Sequence, residues 1–126
     1  MNLDALILLE ALKADYIELV RSKSGSPFPF SGTIGNEFGT IYVRKMAATN
    51  YFCLANLNFS DECCGQGVLS SFIDHIKENP FSFDGISVEL IHNPRLAAKL
   101  KSDGFELIPL DPISDSQAPT LVFLLN

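Results

Sequence analysis

The stretch that decides the fold is a glycine-containing turn that runs directly into an apolar segment: Cys64-Gly65-Gln66-Gly67-Val68-Leu69-Ser70-Ser71-Phe72-Ile73. Apolar residues after Gly67 recur at helical spacing and Pro80 ends the segment, so the stretch predicts a helix entered from a tight turn. Glycines let a backbone approach an anion closely, and the free N–H groups at the start of a helix attract negative charge. The turn is therefore either an anion-binding loop or an ordinary tight turn.

The residues before this turn predict a long helix followed by antiparallel strands. From Leu3 to about Lys23, apolar residues recur at helical spacing, which is typical of an amphipathic helix. Two runs rich in β-branched and aromatic residues then span 38–46 and 51–59, and a shorter strand over 30–34 is expected before them. The two longer runs are predicted to pair antiparallel.

Side-chain alternation in the strand 51–59 predicts which residues share a face. Strict alternation places Asn56 and Asn58 on the same face as Phe52 and Leu54. This face turns polar at its end. The two asparagines are expected either to contact a ligand that carries amide groups or simply to be exposed at the end of the strand.

The residues after the turn predict a strand, a helix and two closing strands. Asparagine and proline are favoured at the start of a helix and glycine at its end, so Asn93, Pro94 and Gly104 mark a helix over about 94–102. The strands are expected over 86–91, 105–110 and 121–125. The whole order predicts a single α/β domain, of the α+β kind, in which helices cover a mixed sheet.

The composition excludes several classes of protein. A formal charge of −6, with nine Lys and Arg spread along 126 residues, argues against binding to nucleic acid. Charged residues interrupt the apolar segments, so no run is long enough for a membrane span and no signal peptide is expected. The odd count of three cysteines, without C-x-x-C spacing, indicates reduced thiols in the cytoplasm and no metal site.

Two segments together resemble the GNAT superfamily of N-acyltransferases. The turn at Gly65 and Gly67 is similar to the GNAT signature Q/R-x-x-G-x-G/A, which binds the pyrophosphate of acyl-CoA. A second segment resembles the GNAT pattern N-x-x-A-x-x-L-Y-x-x-x-G-F through Asn93, Ala97, Leu100, Gly104 and Phe105. The resemblance covers roughly residues 38–126 as the acyl-CoA-binding core, with residues 1–25 as an N-terminal helix. It implies a GNAT-like fold.

The chain departs from the signature at positions that matter for activity. In the register favoured by the helix pattern, the Gln or Arg falls on Cys64, the middle Gly on Gly67 and the last small residue on Leu69. An alternative register places Glu62, Gly65 and Gly67 on these positions. The tyrosine that protonates the departing thiolate in many GNAT enzymes is matched by Leu100.

The resemblance implies a binding site for acetyl-CoA. The residues expected to contact this co-substrate are Leu57, Asn58, Cys64, Gly65, Gln66, Gly67, Val68, Leu69, Ser70 and Asn93. Transfer of the acetyl group to an amine needs a proton acceptor, and Glu62 and His92 are the candidates. Other carboxylates, including Glu89, have no spacing that marks an acid–base pair and are expected in solvent.

The acceptor is the least predictable part of the site. The acidic composition favours a cationic acceptor, either a small amine or a lysine-bearing protein. An alternative hypothesis is a GNAT-like domain that has lost catalysis and serves as a binding or assembly module, because Leu69 and Leu100 depart from the family pattern. In that case the N-terminal helix could form part of a homodimer interface.

Overall fold

The computed structural model describes residues 1–23, 29–45, 49–89, 94–108 and 120–125. These residues form three helices and six strands: α1 (Leu3–Lys23), β1 (Phe30–Asn36), β2 (Gly39–Lys45), β3 (Tyr51–Phe59), α2 (Val68–Glu78), β4 (Gly85–Glu89), α3 (Pro94–Ser102), β5 (Glu106–Ile108) and β6 (Thr120–Leu124). The predicted order of elements and the α/β class are confirmed. His92 and Asn93 lie outside the described residues.

The six strands form one mixed sheet in the order β1-β2-β3-β4-β6-β5. β3 and β4 pair in parallel, and the other neighbours pair antiparallel. α1 and α2 pack against each other on one face of this sheet. The main core lies between the two helices and that face. No helix within the described ranges combines the length and the hydrophobicity that a membrane crossing requires.

Tyr16 of α1 joins the two helices to the sheet. Its ring is fully buried and stands edge-on to Phe52 of β3 at 5.1 Å and to Phe72 of α2 at 6.0 Å between ring centroids. The hydroxyl donates a hydrogen bond to the carbonyl oxygen of Asn79, just after α2, at 2.7 Å. Burial raises the pKa of Tyr16, so the side chain stays neutral and keeps this bond in the physiological range.

A β-bulge in β3 changes the predicted faces of that strand. Leu54 pairs with Val43 of β2, and Asn56 pairs with Tyr42, which precedes Val43 in β2. Ala55 therefore has no partner in β2. The extra residue turns the rest of the strand over. Asn56 and Asn58 therefore lie on the face opposite Phe52 and Leu54, and the face prediction is wrong.

The parallel pairing of β3 with β4 covers only part of β3. The pairs run from Tyr51 with Gly85 to Leu54 with Val88, although β3 continues to Phe59. Among the described residues, which end at Glu89 in this part of the chain, no pair follows that of Leu54 with Val88. The second half of β3, which leads to the turn before α2, therefore has no partner in β4 as far as β4 is described.

His75 is a half-buried titratable group in the contact between α1 and α2. Its ring lies against that of Tyr16, with the centroids 5.9 Å apart, and its Nδ1 is 3.4 Å from the side-chain nitrogen of Asn79. Nε2 is buried and has no partner among the described residues. Burial first and the charge of Lys13 second lower the pKa of His75, against smaller opposing effects of nearby glutamates.

We expect His75 to make the protein less stable as the pH falls. The folded-state pKa lies below the unfolded value of about 6.5, so the unfolded state takes up the proton first. The contribution of His75 to stability is fully present at pH values above its unfolded-state pKa and is lost as the pH falls below that pKa. Urea unfolding of the wild type and of His75→Gln at about pH 7.5 and about pH 5 tests this. The wild type should lose more stability than the variant; an equal loss would contradict the assignment.

Candidate functional site

A cleft of about 450 Å³ lies beside the second half of β3. Three parts of the chain line it: the end of β3, the turn and first residues of α2, and one side of α3. The lining residues are Leu57, Phe59, Cys63, Cys64, Gly65, Gly67, Val68, Leu69, Ser70, Leu96 and Lys99. The decisive stretch of the sequence thus forms one wall of the cleft.

Two glycines shape the turn that enters α2. Gly65 has φ 72° and Gly67 has φ 80°, values in the left-handed region that other residues rarely adopt. A Cβ atom built on either glycine would meet no atom within 4 Å. The backbone is therefore bare on the side that faces the open space, and a ligand can approach it closely.

The turn presents unused hydrogen-bond donors. Within the described residues, the amides of Gly65 to Ser70 have no acceptor, whereas the next amide, that of Ser71, donates to the carbonyl oxygen of Gly67 at 3.0 Å. α2 has no acidic residue in its first turn and has no side-chain cap. Because the helix dipole is positive at this end, these free N–H groups make a site for an anion.

The other walls of the cleft are apolar except for one lysine. Leu57 and Phe59 come from β3 after the bulge, and Leu96 comes from α3. Lys99, also on α3, is 58% exposed and lies 3.6 Å from a carboxylate oxygen of Asp103. A cation and a group of free amides therefore face the same cleft, whose remaining surface is apolar. This suits a ligand with both phosphate and apolar parts.

Most of the residues predicted to bind the co-substrate line this cleft. They are Leu57, Cys64, Gly65, Gly67, Val68, Leu69 and Ser70. Asn58 is exposed on the opposite face of the sheet, and Gln66 points to the start of α1, where its side-chain oxygen accepts a hydrogen bond from Asn2. Whether any of these residues binds acetyl-CoA stays a prediction.

The structure adds residues that the sequence did not single out for the site. Phe59, Cys63, Leu96 and Lys99 also line the cleft. Helical spacing in α3 would have pointed from Leu96 to Lys99, three residues later. Alternation along β3 would have pointed from Leu57 to Phe59. Cys63 is buried and Cys64 is exposed.

The candidate bases occupy different surroundings. Glu62 lies on the surface beside the turn, and its backbone oxygen accepts a hydrogen bond from Asn2 at 2.7 Å. His92 lies outside the described residues. Leu100, which matches the family's tyrosine, is only 2% exposed and belongs to the core.

A second polar cluster lies on the other face of the sheet and is formed by residues of β2, β3 and β4. Arg44 of β2 donates a hydrogen bond to the carboxylate of Glu89 of β4, and the thiol of Cys53 of β3 lies 3.8 Å from the same oxygen. Burial raises the pKa of Cys53. The prediction that Glu89 is simply solvated is wrong, because its side chain is 20% exposed and paired. No set of three potential ligands for a metal occurs within the described ranges.

Known structures resemble this chain in fold. An acetyltransferase from Thermus thermophilus aligns with a TM-score of 0.56 and 14% identity, covering 96% of this chain and 90% of that one. A GNAT-family acetyltransferase from Staphylococcus aureus aligns at 0.56 and 15% identity over 90% and 78%. Nourseothricin acetyltransferase aligns at 0.54 and 16% over 79% and 67%.

Comparison with family models and with curated protein sequences does not reveal this likeness. No protein-family model matches the chain, and no curated protein sequence matches it. The shared feature is the arrangement of the helices and strands. The chain therefore has the mixed α/β fold of the GNAT acetyltransferases.

Proposed function

We propose that the protein is an N-acyltransferase that transfers an acetyl group from acetyl-CoA to an amine. The observation that carries the proposal is the row of free amides from Gly65 to Ser70, which opens into the cleft of a GNAT fold. Phosphate groups bind well at such helix starts because the amides and the helix dipole both favour negative charge. Lys99 adds a positive charge to the same cleft.

The shape of the cleft suits the rest of the co-substrate. The pantetheine arm of acetyl-CoA is extended and carries amide groups, which can pair with a strand edge. The half of β3 beyond Leu54 would offer such an edge, because none of its residues pairs with a described residue of β4. Leu57 and Phe59 supply apolar surface beside it. The acyl group would then lie towards the last described pair between these strands, Leu54 with Val88.

The reaction requires a neutral amine to attack the thioester carbonyl. The amine nitrogen forms the new amide bond, the carbon–sulfur bond breaks, and the thiolate leaves with the electron pair. A base must take the proton from the nitrogen, and Glu62 and His92 remain the candidates that the sequence offers. Because Leu100 has no acidic proton, water would protonate the thiolate.

The acceptor in this proposal is a small amine or a lysine-bearing protein. The formal charge of −6 attracts cations and repels nucleic acid. A cytoplasmic location agrees with the three free cysteines. A homodimer that uses the N-terminal helix remains part of the proposal, since Leu6 and Ile7 of α1 are exposed.

A second candidate function is that of an acyl-CoA-binding module without catalysis. The buried Leu100 favours it, because the position that carries a tyrosine acid in many GNAT enzymes is here part of the core. Leu69 also favours it, since this side chain lies in the cleft where the family has a small residue. Both candidates require acyl-CoA binding, and they differ only in turnover.

Thermal unfolding in the presence of acetyl-CoA and of CoA tests both candidates. A ligand at about 100 times its Kd stabilises the folded state by about 2.7 kcal/mol, so the melting temperature should rise by several degrees. Release of free thiol from acetyl-CoA with a panel of polyamines and lysine peptides then separates them. Binding with amine-dependent thiol release supports the enzyme, and binding without it supports the module. No shift with either ligand would reject both.

Gly67→Asp should abolish CoA binding. The new carboxylate would enter the open space beside the free amides and repel the phosphates. Gly67→Asn is the matched control, because asparagine has the same shape, adds no charge and tolerates a positive φ comparably. Calorimetry should show an affinity for CoA at least about tenfold lower in the Asp variant than in the Asn variant. Equal affinities in the two folded variants would reject this turn as the phosphate site.

Lys99→Gln should weaken CoA binding by about three- to tenfold, because it removes the positive charge that lines the cleft. Lys101→Gln makes the same charge change on the same helix at an exposed residue outside the cleft lining. It should leave the affinity nearly unchanged. The difference between the two variants should shrink at high salt, as expected for a charge interaction near the surface. Equal effects of the two substitutions would show that Lys99 has no direct role.

A further inference from the structure

Asn2 connects the start of α1 to the turn that enters α2. Its side-chain oxygen accepts a hydrogen bond from the amide of Ala5 at 2.8 Å and so caps α1. Its side-chain nitrogen donates to the backbone oxygen of Glu62 at 2.7 Å, and its backbone amide donates to Oε1 of Gln66 at 3.0 Å. One residue therefore caps a helix and holds two points of a turn about 60 residues away in sequence.

The two points lie on either side of Gly65. Earlier in the turn, the amides of Cys63 and Cys64 both donate to the carbonyl oxygen of Ser60. From Gly65 to Ser70, the contact of Gln66 with Asn2 is the one side-chain hydrogen bond that occurs within the described residues. Both glycines of this segment have a positive φ, and glycine has more accessible backbone conformations than any other residue. Asn2 therefore restrains a part of the turn that few other hydrogen bonds hold in place.

The helix that carries Asn2 is itself firmly held. Ala5, Leu8, Leu12 and Tyr16 of α1 are fully buried in the core. The cap of such a helix is a fixed point, because moving it would disturb that packing. A bond from this point to a glycine-rich turn fixes the turn relative to the sheet.

We infer that Asn2 is a positioning residue for the anion-binding turn. It holds the amides of Gly65 to Ser70 in one arrangement before any ligand arrives. A site that is already ordered binds more tightly, since less conformational entropy is lost on binding. Gln66 contributes to the same restraint, because its side-chain oxygen accepts the hydrogen bond from the backbone amide of Asn2. This contact explains why the side chain of Gln66 is directed away from the cleft. The inference rests on the proposed function only where it concerns CoA affinity.

The test uses the variants Asn2→Asp and Gln66→Ala. The intact mass of each protein is measured first to show that Met1 is retained, so that residue 2 keeps its backbone amide. Aspartate caps a helix as well as asparagine but cannot donate to the oxygen of Glu62. Leu3→Asp is the matched control, because it adds the same charge at a neighbouring exposed residue and leaves both bonds in place. Each protein is examined by NMR relaxation without ligand and by CoA calorimetry.

Order parameters for the amides of Gly65 to Ser70 should be near about 0.85 in the wild type and in Leu3→Asp, and should fall below about 0.6 in the two test variants. The affinity for CoA should fall by about three- to tenfold in the test variants relative to Leu3→Asp. Unchanged order parameters in both test variants would overturn the inference. If the wild type itself binds no CoA, the proposed function fails, and the order parameters still decide the role of Asn2.

Discussion

The parallel pairing between β3 and β4 is the constraint on which the rest of the structure depends. Four pairs hold the strands together, from Tyr51 with Gly85 to Leu54 with Val88. The second half of β3 pairs with β2 on one side and has no partner among the described residues of β4. Leu57 and Phe59 of this half line the cleft together with the start of α2 and one side of α3. The cleft is therefore bounded by the second half of β3, a helix start and a lysine.

Packing of α1 and α2 on the sheet keeps this arrangement in place. Tyr16 contacts both the sheet and α2, and its hydroxyl binds the end of α2. The other end of α2 begins at the turn that contains Gly65 and Gly67, which Asn2 connects to the start of α1. α1 thus contacts both ends of α2 through separate interactions. The long N-terminal helix is a structural support for the site, although none of its residues lines the cleft.

Local patterns in the sequence predict most of this fold, and long-range contacts account for what they miss. Helical spacing after Gly67 and the residues Pro94 and Gly104 locate α2 and α3, because helix starts and ends depend on nearby residues. The bulge at Ala55 depends on how β3 pairs with β2, so alternation alone placed Asn56 and Asn58 on the wrong face. The contacts of Asn2 with the turn and of Glu89 with Arg44 join distant residues, and no short motif marks them.

The central claim is that CoA binds with its phosphates against the amides at the start of α2. Titration of ¹⁵N-labelled protein with CoA, followed by amide chemical shifts, tests this claim most directly. The account predicts the largest shifts at Gly65 to Ser70, with smaller ones at Leu57 and Lys99, and a saturable dependence on CoA concentration. Shifts concentrated elsewhere on the molecule, or none at saturating CoA, would contradict it.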